Sequence, residues 1–247
     1  MNPMIKTKIA DKHIADGPKI FPGRLKDTWL FSNLSDKEIV RFGNAAQTRS
    51  YEKYTILYYQ KTPAEFFYII REGWVKLFCT TPKGDEIIVD MLTTGDMFGE
   101  SAIFEQGRHM CGAQVIENVH LLCIPSNLLK NQIRRSSTLA LSMLSSMSLH
   151  HRHRHAESAL NAMQTAPQRV GCFLLKLCPK NKKKSNVFHL PYEKTLIAGT
   201  LGMSNATFSR ALNTLKQKTA IRIKGTRVEI DSVERVVKFV YGPLAAK

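Results

Sequence analysis

Between residues 48 and 124 the chain alternates short apolar runs with polar breaks. The runs fall at 54–59, 66–70, 74–79, 87–92, 113–116 and 120–124. Glycines or turn clusters separate them at Gly73, Pro82-Lys83-Gly84-Asp85, Thr94-Gly95-Asp96, Gly99 and Gly107. Short β-rich runs about ten residues apart predict a sandwich or barrel. Lys83-Gly84-Asp85 reads as a hairpin turn in which Gly84 supplies a positive φ.

The flanks follow other periods. Residues 1–20 are polar, broken by Gly17 and Pro18, and read as an arm. Residues 25–46 predict short helices, with Ser35 and Glu38 spaced as a capping box. After Pro125-Ser126 the pattern turns helical, and residues 137–164 contain neither Gly nor Pro. Leu141, Leu144, Ser148, His151, His155, Ser158 and Ala162 recur at alternating three- and four-residue steps. That seam suits a dimerisation helix packing against its own kind. The alternative is a helix lying on its own β domain. Pro167 ends this helix or makes a hinge. Beyond it come an apolar helix at 170–177 and a lysine loop with Lys180, Lys182, Lys183 and Lys184. Helices at 192–201 and 205–216 follow, joined by Gly202-Met203-Ser204. Two strands at 220–230 turn about Lys224-Gly225-Thr226. The division expected is an arm at 1–20, a sensor domain at 21–136, a dimerisation helix at 137–164 and a winged helix–turn–helix at 165–247.

Charge sharpens this division. The 247 residues carry a net charge of +16, and residues 165–247 supply +12 of it. An excess of that size points to a polyanion, nucleic acid before membrane. No run approaches the ~20 apolar residues of a membrane span. The five cysteines form no CxxC pair, so a disulfide framework or structural zinc is not expected and a reducing cytoplasm is. No Walker A loop, GxSxG elbow or HExxH occurs, which argues against an enzyme.

The helix–turn–helix explains the charge. Leu196, Ile197, Leu201, Phe208, Leu212 and Leu215 predict its small core, with Ala198 and Gly199 letting the helices approach. Ser204 caps the second helix. Asn205, Ala206, Ser209 and Arg210 are then left on its outer N-terminal face, where a recognition helix meets base edges of double-stranded DNA. Arg210 suits bidentate contact with guanine, while Asn205 and Ser209 can donate and accept. Thr207, Lys224, Arg227 and the lysine loop suit phosphates.

In this order of parts the chain resembles the Crp/Fnr transcription regulators over roughly residues 25–235. Phe67-Tyr68-Ile69-Ile70-Arg71-Glu72-Gly73-Trp74-Val75-Lys76-Leu77 is similar to the family's strand–Gly–strand signature. Thr94-Gly95-Asp96-Met97-Phe98-Gly99-Glu100 resembles the turn into its effector pocket. Arg169-Val170 with Phe173-Leu174-Leu175 resembles the start of its DNA-binding domain. Pro82, Gly84 and Glu86, with Leu196, Ala198-Gly199 and Thr207-Phe208-Ser209-Arg210, look most like the Dnr-type nitric-oxide regulators. The resemblance implies an α+β fold: a cupin-like β-roll (jelly roll), a long dimer helix and a winged helix–turn–helix. It implies a homodimer on a palindromic promoter, with RNA polymerase as a further partner and activator action.

It also implies a pocket around Gly99, Glu100, Ser101, Arg108, His109, Met110 and Cys111, met by Arg154 and His155 of the long helix. Cyclic-nucleotide-binding members carry an Arg-Ser or Arg-Thr pair where this chain has Met110-Cys111, and usually Thr-Ser where it has Arg154-His155. A buried phosphate would lack its cation, so cAMP is not expected. No cysteine precedes Cys79, which excludes the N-terminal iron–sulfur cluster of the oxygen-sensing members. Ala206 replaces a Glu common in the recognition helix, so the DNA site is expected to differ there.

The signal stays open. His150-His151-Arg152-His153-Arg154-His155 places His151 and His155 at a chelating i, i+4 step, or makes a pH-sensitive polar stretch of the dimer helix. Its arginines oppose a metal. Haem is the other candidate, with His13, His109, Met110, Cys111, His120, His151 or His155 as ligands. Cys111 is also a candidate thiol sensor.

Overall fold

The computed structural model describes residues 23–178, 186–190 and 194–242, without the side chains of 23, 24, 153, 154, 156–158, 160 and 161, Arg154 and Ser158 among them. The arm with His13 and the four lysines of the basic loop therefore lie outside the described residues. Two compact units divide between Arg154 and His155.

The first unit opens with α1 (Gly23–Lys26) and α2 (Asp36–Ala45). The Ser35–Glu38 capping box forms, the Ser35 N–H donating to Glu38 Oε2 at 2.9 Å and Glu38 N–H to Ser35 Oγ at 3.4 Å. The strands are β1 (Gln47–Tyr51), β2 (Ile56–Tyr58), β3 (Phe66–Thr80), β4 (Glu86–Thr93), β5 (Met97–Phe98) and β6 (Gly112–Pro125). A short helix α3 (Ser101–Phe104) precedes β6. All pairings are antiparallel, in the order β1-β6-β3-β4, with β2 on β6 and β5 on β3.

Four of the predicted runs merge into two long strands, β3 and β6. Gly73 was read as a break but lies within β3. Its φ is +97°, and a Cβ there would meet Asn118 O at 2.3 Å. The register with β6 shifts on either side of it. The glycine thus bends the strand by a bulge rather than ending it.

Alternation along β3 and β6 feeds two cores. Tyr68, Ile70, Leu121 and Cys123 point into the roll with Val75, Phe98 and Val115. Phe67, Ile69, Leu122 and Ile124 point the other way, against Phe31, Phe42, Leu129, Leu139 and Met143. Burial on both faces explains why 66–70 and 120–124 read as unbroken apolar runs.

Next come α4 (Ser126–Arg135) and the long α5 (Ser137–Met163). The first half of α5 has two faces. Leu139, Met143 and Ser146 are buried, and Ser146 Oγ accepts from Asn33 Nδ2 at 3.1 Å. His150, one turn further, stacks on Trp29 with centroids 4.5 Å apart. The expected seam lies round the helix from these: Leu141 and Leu144 are 64% and 60% exposed. Ser148, His151, His155 and Ala162 are exposed as well. The helix thus lies on its own domain by one face and leaves the other uncovered.

The second unit contains α6 (Ala166–Leu177), β7 (Val187–His189), α7 (Lys194–Thr200), α8 (Asn205–Lys218), β8 (Ile221–Lys224), β9 (Arg227–Ile230) and α9 (Val233–Tyr241). Thr165 and Gln168 form a capping box that starts α6. The sheet order is β7-β9-β8. Val170, Leu174, Ile197, Phe208, Leu212, Leu215, Val228 and Val240 make the core. Gly199 is exposed rather than wedged between helices. The close approach is at Gly171, where a Cβ would meet Val240 Cγ2 at 2.6 Å and Leu215 Cδ1 at 3.3 Å. Among the described residues no helix is long and apolar enough to cross a membrane.

Candidate nucleic-acid interface and sensor pocket

The presentation of α8 follows from its sequence. Gly202 turns the chain at φ +62°, with open space around it. Ser204 caps the helix, its Oγ accepting from Thr207 N–H at 3.2 Å. Phe208, Ala211, Leu212 and Leu215 are buried at i, i+3, i+4 and i+7 spacing. The opposite stripe is therefore left to solvent. Ser204, Asn205, Ala206, Ser209 and Arg210 are exposed and Thr207 is half-buried. Asn213 and Gln217 continue the exposed stripe. The spacing that predicts exposure through Arg210 holds for one and two turns more.

The wing adds two cations. Lys224 and Arg227 pair across β8 and β9 about Gly225, which has φ +61°, and both side chains are exposed. Arg222, which the sequence reading left aside, is tied to Asp231 at 2.6 Å and Glu229 at 3.4 Å. Arg210, Lys224 and Arg227 have no such carboxylate among the described residues. Three exposed cations and a helix N-terminus beside capped, exposed polar side chains form a surface suited to phosphates and base edges.

In the first unit, the predicted pocket residues separate. His109 is buried, its ring stacked on Tyr58 with centroids 3.6 Å apart and planes 9° apart. Tyr68 stacks on Phe98 at 5.0 Å and lies 5.8 Å from Tyr58. Gly99, at φ +82°, lets this cluster close: a Cβ there would lie 3.3 Å from His109 Cε1 and 3.5 Å from the Tyr68 ring. Glu100 Oε2 is sealed from solvent and has no hydrogen-bond partner among the described residues. Burial holds the Glu100 carboxyl up at about 7 and pushes the His109 imidazole down to about 4.

Other expected lining residues turn away. Ser101 is exposed. Arg108 is exposed and donates to Lys61 O at 2.8 Å. Met110 is 60% exposed. Cys111 is half-buried, its Sγ 3.3 Å from Cys79 Sγ. His155 is exposed in the second unit. The cause is antiparallel β geometry approaching β6: successive side chains alternate, so of 108–110 only His109 faces inward. Tyr58 and Tyr68, not among the expected pocket residues, supply the inward rings; their place among apolar runs was the only signal.

Two family descriptions match the two units. The cyclic nucleotide-binding domain matches residues 48–136, and the Crp-like helix-turn-helix domain matches residues 168–239. The chain belongs to the Crp/Fnr family. The Cyclic AMP receptor protein of Thermus thermophilus is 25% identical over 218 residues, 88% of this chain and 99% of that protein. A regulatory protein of Silicibacter pomeroyi DSS-3 superposes with a TM-score of 0.73 at 29% identity, covering 89% of this chain and 97% of the other. DNR from Pseudomonas aeruginosa superposes with a TM-score of 0.53 at 25% identity, covering 91% and 100%. This Crp/Fnr protein is a transcription regulator with a DNA-binding helix–turn–helix, and its relatives are named as regulators rather than enzymes.

His109 is closed in by Tyr58 and Gly99. His120 Nδ1 is 2.8 Å from Ser50 Oγ on an exposed stretch of β6. Met110 points outward and the Cys111 sulfur meets Cys79. These four candidate haem ligands are closed in, hydrogen-bonded or turned outward, while His151 and His155 lie exposed on α5. Among the described residues no group of three His, Cys, Asp or Glu side chains could hold a metal ion.

Proposed function

We propose that this regulator acts as a homodimer reading a palindromic promoter site through α8, with RNA polymerase as its partner there. The observation that carries the reading is the exposed stripe Asn205, Ala206, Ser209 and Arg210, opposite a buried apolar stripe on the same capped helix. Lys224 and Arg227 extend it as phosphate contacts. Leu141 and Leu144, uncovered on α5, supply the apolar seam that a second α5 would bury. Two-fold symmetry then sets two half-sites one helical turn, ~34 Å, apart.

The signal we propose is not cAMP, whatever the names of the relatives. An enclosed cyclic phosphate needs a cation, and Arg108 is engaged outside on Lys61 O. The pocket offers instead a neutral imidazole, aromatic rings and a carboxyl held up at about 7. That set suits a small uncharged group.

Gel-shift titration on a selected palindrome tests both statements. Arg210→Ala is expected to weaken binding roughly 5- to 150-fold per half-site, the worth of one bidentate base contact. Saturating cAMP is expected to leave the wild-type affinity unchanged. Wild-type affinity in Arg210→Ala would refute the recognition-helix assignment, and a cAMP-dependent shift would refute the pocket reading.

A further inference from the structure

The sensor unit holds two thiols in contact, Cys79 near the end of β3 and Cys111 just before β6, with sulfurs 3.3 Å apart. Their meeting follows from register. Leu77 pairs with Ala113 and Phe78 with Gly112, so the next rung of the antiparallel ladder sets Cys79 opposite Cys111. Gly112 fixes that register, since a Cβ there would come within 2.6 Å of the Phe78 ring. Opposed positions in such a ladder have Cα atoms roughly 4.5–5.5 Å apart, inside the range that a disulfide spans. Both residues are half-buried, within reach of a small solute, whereas Cys123 and Cys172 are buried.

We propose that Cys79 and Cys111 form an oxidisable dithiol that closes to an intramolecular cystine on reaction with a hydroperoxide. In the first step one sulfur attacks a peroxide oxygen. The O–O bond breaks, a sulfenic acid forms and water (an alcohol, from an organic peroxide) leaves. In the second step the other sulfur displaces the hydroxyl, forming the S–S bond and releasing water. Two thiols lose two electrons and two protons, and one peroxide is reduced. Burial and the hydrogen bond with Cys79 hold the Cys111 thiol up at about 12. Each sulfur lies within reach of the other, so whichever is oxidised first is resolved by its neighbour. The pair also has a structural reach. The loop ending at Cys111 carries His109 into the pocket, so a cystine ties that loop to β3.

The test uses the full-length, reduced protein with hydrogen peroxide as probe, followed by alkylation and peptide mapping. The expected product is a linked Cys79–Cys111 peptide, lighter by about 2 Da for two lost hydrogens and restored by dithiothreitol. In Cys111→Ser, dimedone is expected to trap a sulfenic acid at Cys79, with no linked peptide. The wild-type result needs no variant to fold. The proposal is overturned if both cysteines stay alkylatable at peroxide levels that oxidise free cysteine. It is equally overturned if the links join other cysteines, or if each sulfur oxidises separately to sulfinic acid.

Discussion

Glu100→Gln should change how stability depends on pH. Burial raises the Glu100 carboxyl from its ordinary 4.5 to about 7 in the folded protein. A raised carboxyl pKa means that the folded state holds its proton more tightly than the unfolded chain. The stability it contributes is present below 4.5 and is lost as pH rises through 7. A rise from 4.5 to about 7, at 1.36 kcal/mol per pH unit, makes the full loss about 3 kcal/mol, most of it between pH 5 and pH 8. Gln keeps the shape and cannot ionise. The variant should therefore gain roughly 2 to 3 kcal/mol on wild type between pH 5 and pH 8. His109 titrates in both proteins and cancels in the difference. The assay is urea unfolding at fixed protein concentration, followed by tryptophan fluorescence. Trp29 and Trp74 are the chain's only tryptophans, and both lie in the first unit, so the signal reports the unit that holds Glu100. A wild-type-minus-variant difference that stays flat from pH 5 to pH 8 would refute the burial of this carboxyl.

Two further outcomes follow from the packing. Leu141→Glu with Leu144→Glu should convert a dimer to monomer in sedimentation velocity without lowering the stability of the first unit, since both side chains are exposed in the single chain; a persisting dimer would place the interface elsewhere. Gly73→Ala should destabilise the first unit by at least about 2 kcal/mol, because positive φ and a backbone clash combine. Its Cβ would lie 2.3 Å from Asn118 O, and an unchanged urea midpoint would contradict the bulge.

The parts of the molecule that sequence disclosed are those decided by neighbours in the chain. The Ser35–Glu38 capping box, the turn at Gly202 and the two stripes of α8 depend on spacings of three and four residues, visible without a fold. The dithiol depends on residues 32 positions apart. Only the register of β3 against β6, held at Gly112, brings them opposite. The pocket is an intermediate case. The loop at 108–111 was legible, but the side each residue faces was not, because alternation fixes faces only once the first paired residue is known. Gly73 shows the same limit. A glycine between two apolar runs reads as a turn or a bulge, and the long-range partner decides.

Strand β3 has a mechanical consequence. Tyr68 belongs to the aromatic cluster with His109, while Phe67 and Ile69, on either side of it, press against the layer that seats the inner face of α5. The three share adjoining peptide planes. A slip of β3 by one residue would exchange the contents of the two layers, which their burial forbids. An occupant that spread the rings on one side would therefore press, through these shared planes, on the seat of α5 on the other.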